Sequence, residues 1–288
     1  MPSRLVRVRV GDYVAAERWA ELDSADRHRA LIFATLRRMR GEVPTLSHLS
    51  SAALWGMPIL GKWPDRVHVT MAAEAAGSST LIRRHRVESL PEPAMINGIP
   101  VTGVARTVVD LARAGNLARA VIAGDWAVRE GACSLRQLDA EVDRVPRGGR
   151  GRRGAQLLQL LVDPRSESVG ESLSRTRMFE GGFPQPNLQV ALIDAQGEFG
   201  RADFGWDGLI GEFDGERKYR ATGDAGDVAS EDVVLREKAR EDRARRTGVG
   251  VARWCWMEAL GGEGMFRILR SAGLRPSSRS NWTPFPRE

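Results

Sequence analysis

Four acidic residues and one lysine in the C-terminal half of the chain have the types and spacing that metal-dependent chemistry requires. Glu171 begins a predicted helix, and Asp203 lies in the predicted strand RADFGW. Glu212 and Asp214 end the next predicted strand, in GEFDG, and Lys218 follows in ERKY. If the two strands form a tight hairpin, Asp203 and Glu212 lie across from each other, and Glu212 and Asp214 share one face of their strand.

Carboxylates that converge at a sheet edge repel one another unless a cation binds there. Oxygen ligands favour Mg²⁺ or Mn²⁺ over zinc, and such an ion polarises a phosphodiester and lowers the pKa of a bound water. Lys218 would hold that water or stabilise charge on the phosphate. The alternative is a solvated acidic hairpin, since Asp-Gly after a strand is a common turn signal. We favour the metal site, because Asp203 and Glu212 stand within apolar runs where unpaired carboxylates are costly to bury.

The elements that must position these residues follow from hydrophobic periodicity and breakers. A short apolar helix is predicted over 155–162, and a helix over about 171–180, which Gly181 and Gly182 stop. Strands are predicted over 188–194, 202–206, 209–213 and 249–256, with helices over 231–246 and 258–271. This order is typical of an α/β or α+β domain.

The chemistry-bearing residues fall within a longer series of motifs. The series comprises Glu171-Ser172-Leu173, the segment from Pro184 to Gln189, Ala202-Asp203-Phe204, Gly211-Glu212-Phe213-Asp214-Gly215, Lys218-Tyr219, Glu237-Lys238 and Arg240-Glu241-Asp242. Over residues 165–258 this series resembles the PD-(D/E)xK nuclease superfamily, most closely its DUF559 and very-short-patch-repair-like branch.

The resemblance implies a restriction-endonuclease-like core, in which helices flank a mixed four-stranded sheet. It also implies that Asp203 and Glu212 are the metal ligands and that Glu171 is a supporting carboxylate. Asp214 is a further candidate ligand because it shares a strand face with Glu212. The family places a lysine two residues after the second ligand, where this chain has Asp214. Lys218 would therefore supply the positive charge from a displaced position.

The N-terminal part is predicted to mix strands and helices. A strand and turn are expected over 4–14, and helices over 25–39 (with Ser24 as its N-cap), 47–54, 104–114, 116–129 and 134–143. Further strands are expected over 66–70, 80–87 and 99–102. The motifs VRVGDY, HLSSAALWG, VHVT and GIPVT followed by ARTVVDLA resemble the region after the winged helix-turn-helix of AbiEi-type antitoxins and transcriptional regulators. The chain begins at about the wing, so the recognition helix of that family is expected to be missing. This resemblance implies DNA and a cognate toxin as partners.

Basic charge is concentrated in the first half of the chain. Residues 1–154 hold 24 Lys and Arg against 16 Asp and Glu, whereas residues 155–288 hold 19 against 21. This excess suits a polyanionic partner such as DNA, or it reflects codon bias, since all but three of the 43 basic residues are arginine. The segment 144–154, RVPRGGRGRRG, is predicted to be a linker or a phosphate-contacting loop. Its candidate nucleic-acid contacts are Arg147, Arg150, Arg152 and Arg153.

Other classes of site find little support in the sequence. Cys133 and Cys255 lie far apart, which excludes a disulfide framework, and the four histidines show no metal-ligand spacing, which predicts structural or exposed roles. No segment is apolar enough for a membrane span, and the N-terminus has no signal core, so we expect a cytoplasmic protein.

Together these patterns predict an α/β (α+β) chain with a basic N-terminal domain over 1–143, a linker over 144–154, a nuclease-like domain over 155–275 and a frayed tail over 276–288. The favoured function is that of a DNA-acting protein, a metal-dependent endodeoxyribonuclease using Mg²⁺ or Mn²⁺. The alternative is a non-enzymatic AbiEi-like antitoxin or regulator with an inactive nuclease fold. A plain interaction module is a third possibility, but it leaves the carboxylate cluster unexplained.

Overall fold

The computed structural model describes residues 4–72, 79–215, 243, 246 and 248–287. The chain forms two units, one of Met1–Gln159 with Pro286–Glu288 and one of Leu160–Phe285. Within the described ranges, helices accompany three two-stranded sheets in the first unit and one four-stranded sheet in the second, which confirms the prediction of a mixed α+β fold. None of the helices in the described ranges has the length and apolar character that crossing a bilayer requires.

The first unit begins with an antiparallel hairpin, consistent with the strand and turn expected over 4–14. Its strands are β1 (Leu5–Arg9) and β2 (Asp12–Ala15), and Gly11 makes the turn at a φ of +80°. Helices α1 (Ala16–Glu21), α2 (Ser24–Leu36) and α3 (His48–Trp55) follow. Helix α1 was not predicted. The N-cap of α2 is Asp23, which accepts a hydrogen bond from the Asp26 amide, and not Ser24 as predicted.

Two small strand pairs join this helical layer through one leucine. Parallel strands β3 (Val67–Ala72) and β4 (Ile82–Val87) form one pair, and antiparallel strands β5 (Ala94–Ile96) and β6 (Ile99–Val101) form the other. Leu46 bridges both Val69 and Val101, so the two pairs share a core. Its fully buried members are Ile32, Leu46, Ala53, Val67, Val69 and Val101.

Four helices complete the first unit. They are α4 (Val104–Arg113), α5 (Leu117–Arg129), α6 (Leu135–Asp143) and α7 (Arg152–Leu161). Ser134 caps α6 as predicted, in a reciprocal capping box with Gln137. The predicted linker over 144–154 is too long, because Arg152 and Arg153 already lie in α7 and the unit boundary falls inside that helix.

The second unit is built on a mixed four-stranded sheet that follows α8 (Val169–Glu180). Strands β7 (Asn187–Asp194), β8 (Gly197–Trp206) and β9 (Leu209–Asp214) form an antiparallel meander, and β10 (Gly250–Cys255) pairs with β9 in parallel. Phe204 and Trp254 stack in its core, where the Trp254 indole donates to the Ser174 hydroxyl of α8 at 2.8 Å. A mixed four-stranded sheet is the architecture expected for this part of the chain.

Two predictions for the end of the chain are wrong. The helix expected over 258–271 is two helices, α9 (Trp256–Gly261) and α10 (Glu263–Ser271), because Gly262 has a φ of +80° and interrupts the helix. The tail expected to fray from residue 276 is instead anchored, since Trp282 is buried and its indole donates to the Phe183 carbonyl at 2.8 Å. The predicted helix over 231–246 and the glycine-rich stretch over 221–229 lie outside the described residues, apart from Arg243 and Arg246.

Candidate functional sites

Strand register places the predicted ligands Asp203 and Glu212 on neighbouring strands. Strands β8 and β9 pair from Trp206 with Leu209 to Phe204 with Gly211, and Asp203 and Glu212 are the residues next to that last pair. The Asp203 carboxylate accepts a hydrogen bond from the backbone amide of Phe213 at 2.7 Å. This contact fixes the Asp203 side chain against β9, one residue from Glu212.

Glu171 reaches the same part of the sheet from the first turn of α8. The Ser168 hydroxyl caps this helix by accepting from the Glu171 amide at 3.1 Å. The Glu171 Oε2 accepts from the Gln189 amide group at 2.8 Å and from the Glu167 backbone amide at 2.9 Å. The carboxylate is buried, and burial raises its pKa. Helix α8 and strand β7 therefore meet through an acid whose charged form the fold penalises.

Gln189 adopts an uncommon backbone conformation to make this contact. Its φ is +56° in the middle of β7, between the pairs Leu188 with Phe204 and Val190 with Ala202. A left-handed conformation at a residue other than glycine costs about 1–3 kcal/mol and is concentrated at functional sites. Gln189 was noted in the sequence only as the end of a motif, and no spacing rule indicated this role.

The counterion of Glu212 is an arginine that the sequence did not single out. Arg253 lies directly beside Glu212 in the parallel register of β10 with β9, and its Nε donates to the Glu212 Oε2 at 3.1 Å. Glu212 is buried to 9% exposure, so this guanidinium supplies charge compensation that a solvated carboxylate would not need. Sequence reasoning missed Arg253 because a parallel pairing joins residues far apart in the chain.

The sequence also assigned Asp214 and Lys218 to this carboxylate cluster. Asp214 ends β9 and is half-buried, and Lys218 lies outside the described residues. Within the described ranges, these carboxylates do not form a group of three or more whose ligand atoms all lie within 4.8 Å of one another. Asp203 and Glu212 are thus adjacent, whereas the gathering of several carboxylates around one ion stays a prediction.

The four candidate nucleic-acid arginines do not share one environment. Arg147, Arg150 and Arg153 are exposed. Arg152 is half-buried and donates to the Val145 carbonyl, so it holds the segment before α7 in place. The backbone of this segment is also held, because the Arg113 guanidinium donates to the Arg150 carbonyl at 3.2 Å. Three arginines therefore remain as candidate phosphate contacts.

A second constellation, which we name the histidine triad, consists of His48, His68 and His85. One possible ligand atom from each ring lies within 4.8 Å of the others, and within the described ranges this is the one group of three or more metal-ligating side chains that meets this distance. The His85 Nε2 lies 3.2 Å from the His68 Nδ1, and the His48 ring stacks on that of His85 with centroids 3.5 Å apart.

Three elements of the first unit bring the triad together. His68 and Thr70 are two residues apart on β3 and therefore share a face, and His85 of β4 is the direct register partner of Thr70. His48 is the first residue of α3 and has a φ of +51°. Its Nδ1 lies 3.0 Å from the Ser47 hydroxyl.

The triad is held in its neutral form. Burial, followed by the neighbouring His85 and His68, lowers the pKa of His48 to about 2. Burial and then His85 and Arg83 lower the pKa of His68 to about 3, and burial with Arg83 lowers that of His85 to about 4. All three imidazoles therefore have unprotonated ring nitrogens at neutral pH. The predicted structural or exposed roles for these residues missed this convergence, because only the parallel pairing of β3 with β4 reveals it.

Comparisons with known proteins place the chain beside relatives that carry no functional description. It is 36% identical over 114 residues to uncharacterized proteins from two strains of Mycobacterium tuberculosis, CDC 1551 / Oshkosh and ATCC 25618 / H37Rv. The matched region is 38% of this chain and 41% of each relative. No family model matches the chain, and no solved structure matches it. The similarity thus covers a minority of this chain and less than half the length of each relative.

Proposed function

We propose that the protein acts on DNA and that its second unit hydrolyses phosphodiester bonds with Mg²⁺ or Mn²⁺. The observation that carries the proposal is the placement of Asp203 beside Glu212 on the two central strands of a mixed sheet. Proteins commonly bind Mg²⁺ through one or two carboxylates together with water and substrate phosphate oxygens. The basic first half of the chain supplies the attraction for a polyanion, and we place the protein in the cytoplasm.

Glu171 supports this proposal through its burial. An acid whose ionised form is penalised gains most from a cation nearby, which restores the charged form. Its link through Gln189 joins α8 to the sheet at the level of Asp203, so Glu171 would support an ion there from a neighbouring element. Lys218 remains the proposed source of positive charge for the transition state.

The test is nicking of a supercoiled plasmid by the full chain, with Mg²⁺ and with EDTA. Asp203→Asn and Glu212→Gln preserve side-chain shape and should each lower the rate by at least about 100-fold, the scale for losing one group that stabilises a transition state. Asp207→Asn is the matched control, because Asp207 is an exposed carboxylate in the turn of the same hairpin. If Asp203→Asn and Glu212→Gln nick the plasmid as fast as the control Asp207→Asn, the catalytic assignment is removed.

One observation favours a second candidate, a non-enzymatic regulator of AbiEi type that retains the fold. The Arg253 guanidinium already neutralises Glu212, so this carboxylate has a counterion without a metal. Calorimetry of the full chain separates the candidates. Mg²⁺ or Mn²⁺ binding that Asp203→Asn abolishes supports the nuclease. Absence of binding, together with tight association with promoter DNA or a cognate toxin, supports the regulator.

A further inference from the structure

We propose that the histidine triad is a binding site for a divalent transition metal of the zinc class, with three protein ligands and one exchangeable position. The site lies in the first unit and is independent of the carboxylates of the second. It rests on the convergence of His48, His68 and His85 from α3, β3 and β4.

The distances agree with tetrahedral coordination. Zinc binds imidazole nitrogen at about 2.0–2.1 Å, so two nitrogens on one tetrahedral ion are about 3.3 Å apart. The His85 Nε2 and the His68 Nδ1 are 3.2 Å apart. The third ring lies inside 4.8 Å of both, and all three nitrogens can face one ion once the stacked His48 and His85 rings turn out of parallel.

The chemistry of the ligands selects the metal. Three neutral imidazoles suit Zn²⁺, Co²⁺, Ni²⁺ and Cu²⁺, whereas Mg²⁺ and Ca²⁺ require oxygen ligands. Because the group contains no cysteine, aspartate or glutamate among the described residues, the protein there supplies three ligands. Four-coordinate zinc with three protein ligands keeps a water or an anion in the remaining position.

The surroundings favour an anion in that position. Arg83 is the direct register partner of His68, so its guanidinium lies on the same face of the strand pair as the triad. Positive charge beside a bound dication is offset when the fourth ligand is hydroxide or an oxyanion such as phosphate. The same charge weakens the binding of a bare cation, so zinc and anion should bind together.

Two local features agree with a bound ion on the face of β3 that carries His68 and Thr70. His48 holds a left-handed backbone conformation, which costs about 1–3 kcal/mol and persists where the surroundings require it. The Thr70 hydroxyl is buried and has no hydrogen-bond partner within the described part of the chain, and Thr70 shares the face of β3 with His68. A buried hydroxyl of this kind is ordinarily satisfied by a water or an ion.

The experiment measures metal content and cobalt spectra of the full chain. After loading with Zn²⁺ and dialysis, mass spectrometry should find one zinc per chain, and Co²⁺ should give the intense visible bands of four-coordinate cobalt. Phosphate should shift those bands. The variant His48→Gln/His85→Gln should lose affinity by at least about 100-fold, since even outer residues of a metal site contribute up to that factor.

His28→Gln is the matched control, because His28 is the fourth histidine of the chain, lies in the same unit and is not in the triad. The single variant His85→Gln changes a half-buried side chain and serves if the double variant does not fold. Zinc retained by the double variant at the wild-type level, or cobalt bound by wild type with only octahedral bands, would overturn the proposal. Zinc lost equally from His28→Gln would do the same.

Discussion

Each unit has a residue with an uncommon backbone conformation at its candidate site. Three residues other than glycine have positive φ among the described ones: His48, Asn97 and Gln189. Asn97 sits in an Asn-Gly turn, where a left-handed conformation is expected. The other two lie in the histidine triad and beside Glu171. The uncommon backbone conformations therefore occur at the histidine triad and at the contact with Glu171.

His28 provides a pH-dependent prediction at this scale. Burial lowers its pKa from 6.5 to about 4. The unfolded chain therefore binds more protons than the folded chain between pH 4 and 6.5, and the free energy of unfolding falls as pH drops through this window. The shift corresponds to a loss on the order of 3 kcal/mol from this group. Urea denaturation across pH should show a smaller decline for His28→Gln than for wild type.

The control for that comparison is the same pair of proteins above about pH 8, where histidines of pKa 6.5 are almost entirely neutral. Any difference there reflects the lost contacts of His28 with Ser50 and Trp63. The triad contributes a decline of the same sign in both proteins. Identical slopes for the two proteins between pH 4 and 6.5 would contradict the assignment of a buried, neutral His28.

Residue identity was predictable from the sequence at one site and not at the other. Asp203 and Glu212 lie on the two strands of a hairpin, so the prediction that their carboxylates converge rests on local spacing. The triad and Arg253 depend on parallel pairings, which a hairpin turn cannot make and local spacing therefore does not indicate. No periodicity in a single sequence encodes which strands will pair in this way.

At the scale of elements, α8 packs closely on β9 through a glycine. A Cβ built at Gly170 would lie 1.9 Å from a ring carbon of Phe213, so the first turn of α8 approaches the sheet without a side chain between them. This close approach sets the distance between Glu171 and the strands. Helix α8 and strand β9 were both predicted, but the contact between them was not, because periodicity describes faces and not the spacing between layers.

Gly170→Ala is therefore expected to destabilise the second unit. Forcing a methyl group against an aromatic ring in a packed core typically costs about 1–3 kcal/mol. Gly261→Ala is the matched control, since the added Cβ there meets nothing within 4 Å and the residue also ends a helix. Its effect should stay within about 1 kcal/mol and favour the folded state. Chemical denaturation followed by tryptophan fluorescence measures both, and equal stabilities would show that the sheet can yield.

The points at which helices are interrupted or begin are the features that the sequence predicts least well. Gly262 divides a helix that periodicity made continuous, and the arginine-glycine segment gives way to α7 at Arg152. Glycine is compatible with a helix, a cap or a loop, and tertiary contacts decide among them. The tail shows the same limit, because burial of Trp282 depends on a pocket formed by distant residues.

For the whole molecule, the division of charge is the property most directly read from the sequence. Residues 1–154 carry an excess of eight positive charges, from 24 basic and 16 acidic residues, whereas residues 155–288 carry an excess of two negative charges, from 19 and 21. An uneven distribution of this kind directs a polyanion to one part of a protein. Composition predicts this long-range attraction, but the groups that touch phosphate depend on which arginines remain exposed.

Replacement of Arg147, Arg150 and Arg153 by alanine should weaken DNA binding and reduce its salt dependence. Each phosphate contact contributes about 0.9 to the slope of log affinity against log salt concentration, so the slope should fall by up to about 2.7. The control replaces Arg18, Arg40 and Arg136, which are exposed residues of the same unit, and removes the same net charge. Fluorescence anisotropy with a duplex at several salt concentrations measures both. Equal losses in the two variants would indicate a diffuse charge effect without contacts at this segment.

The pairing of Glu212 with Arg253 also bears on how the protein is made. A nascent chain that has left the ribosome only as far as Asp214 contains the β7–β8–β9 meander, but the guanidinium for Glu212 is still to be translated. Until β10 arrives, β9 is an edge strand that carries an acid into an apolar layer. Docking of β10 would therefore complete the sheet and bring the Arg253 guanidinium to Glu212 in the same step.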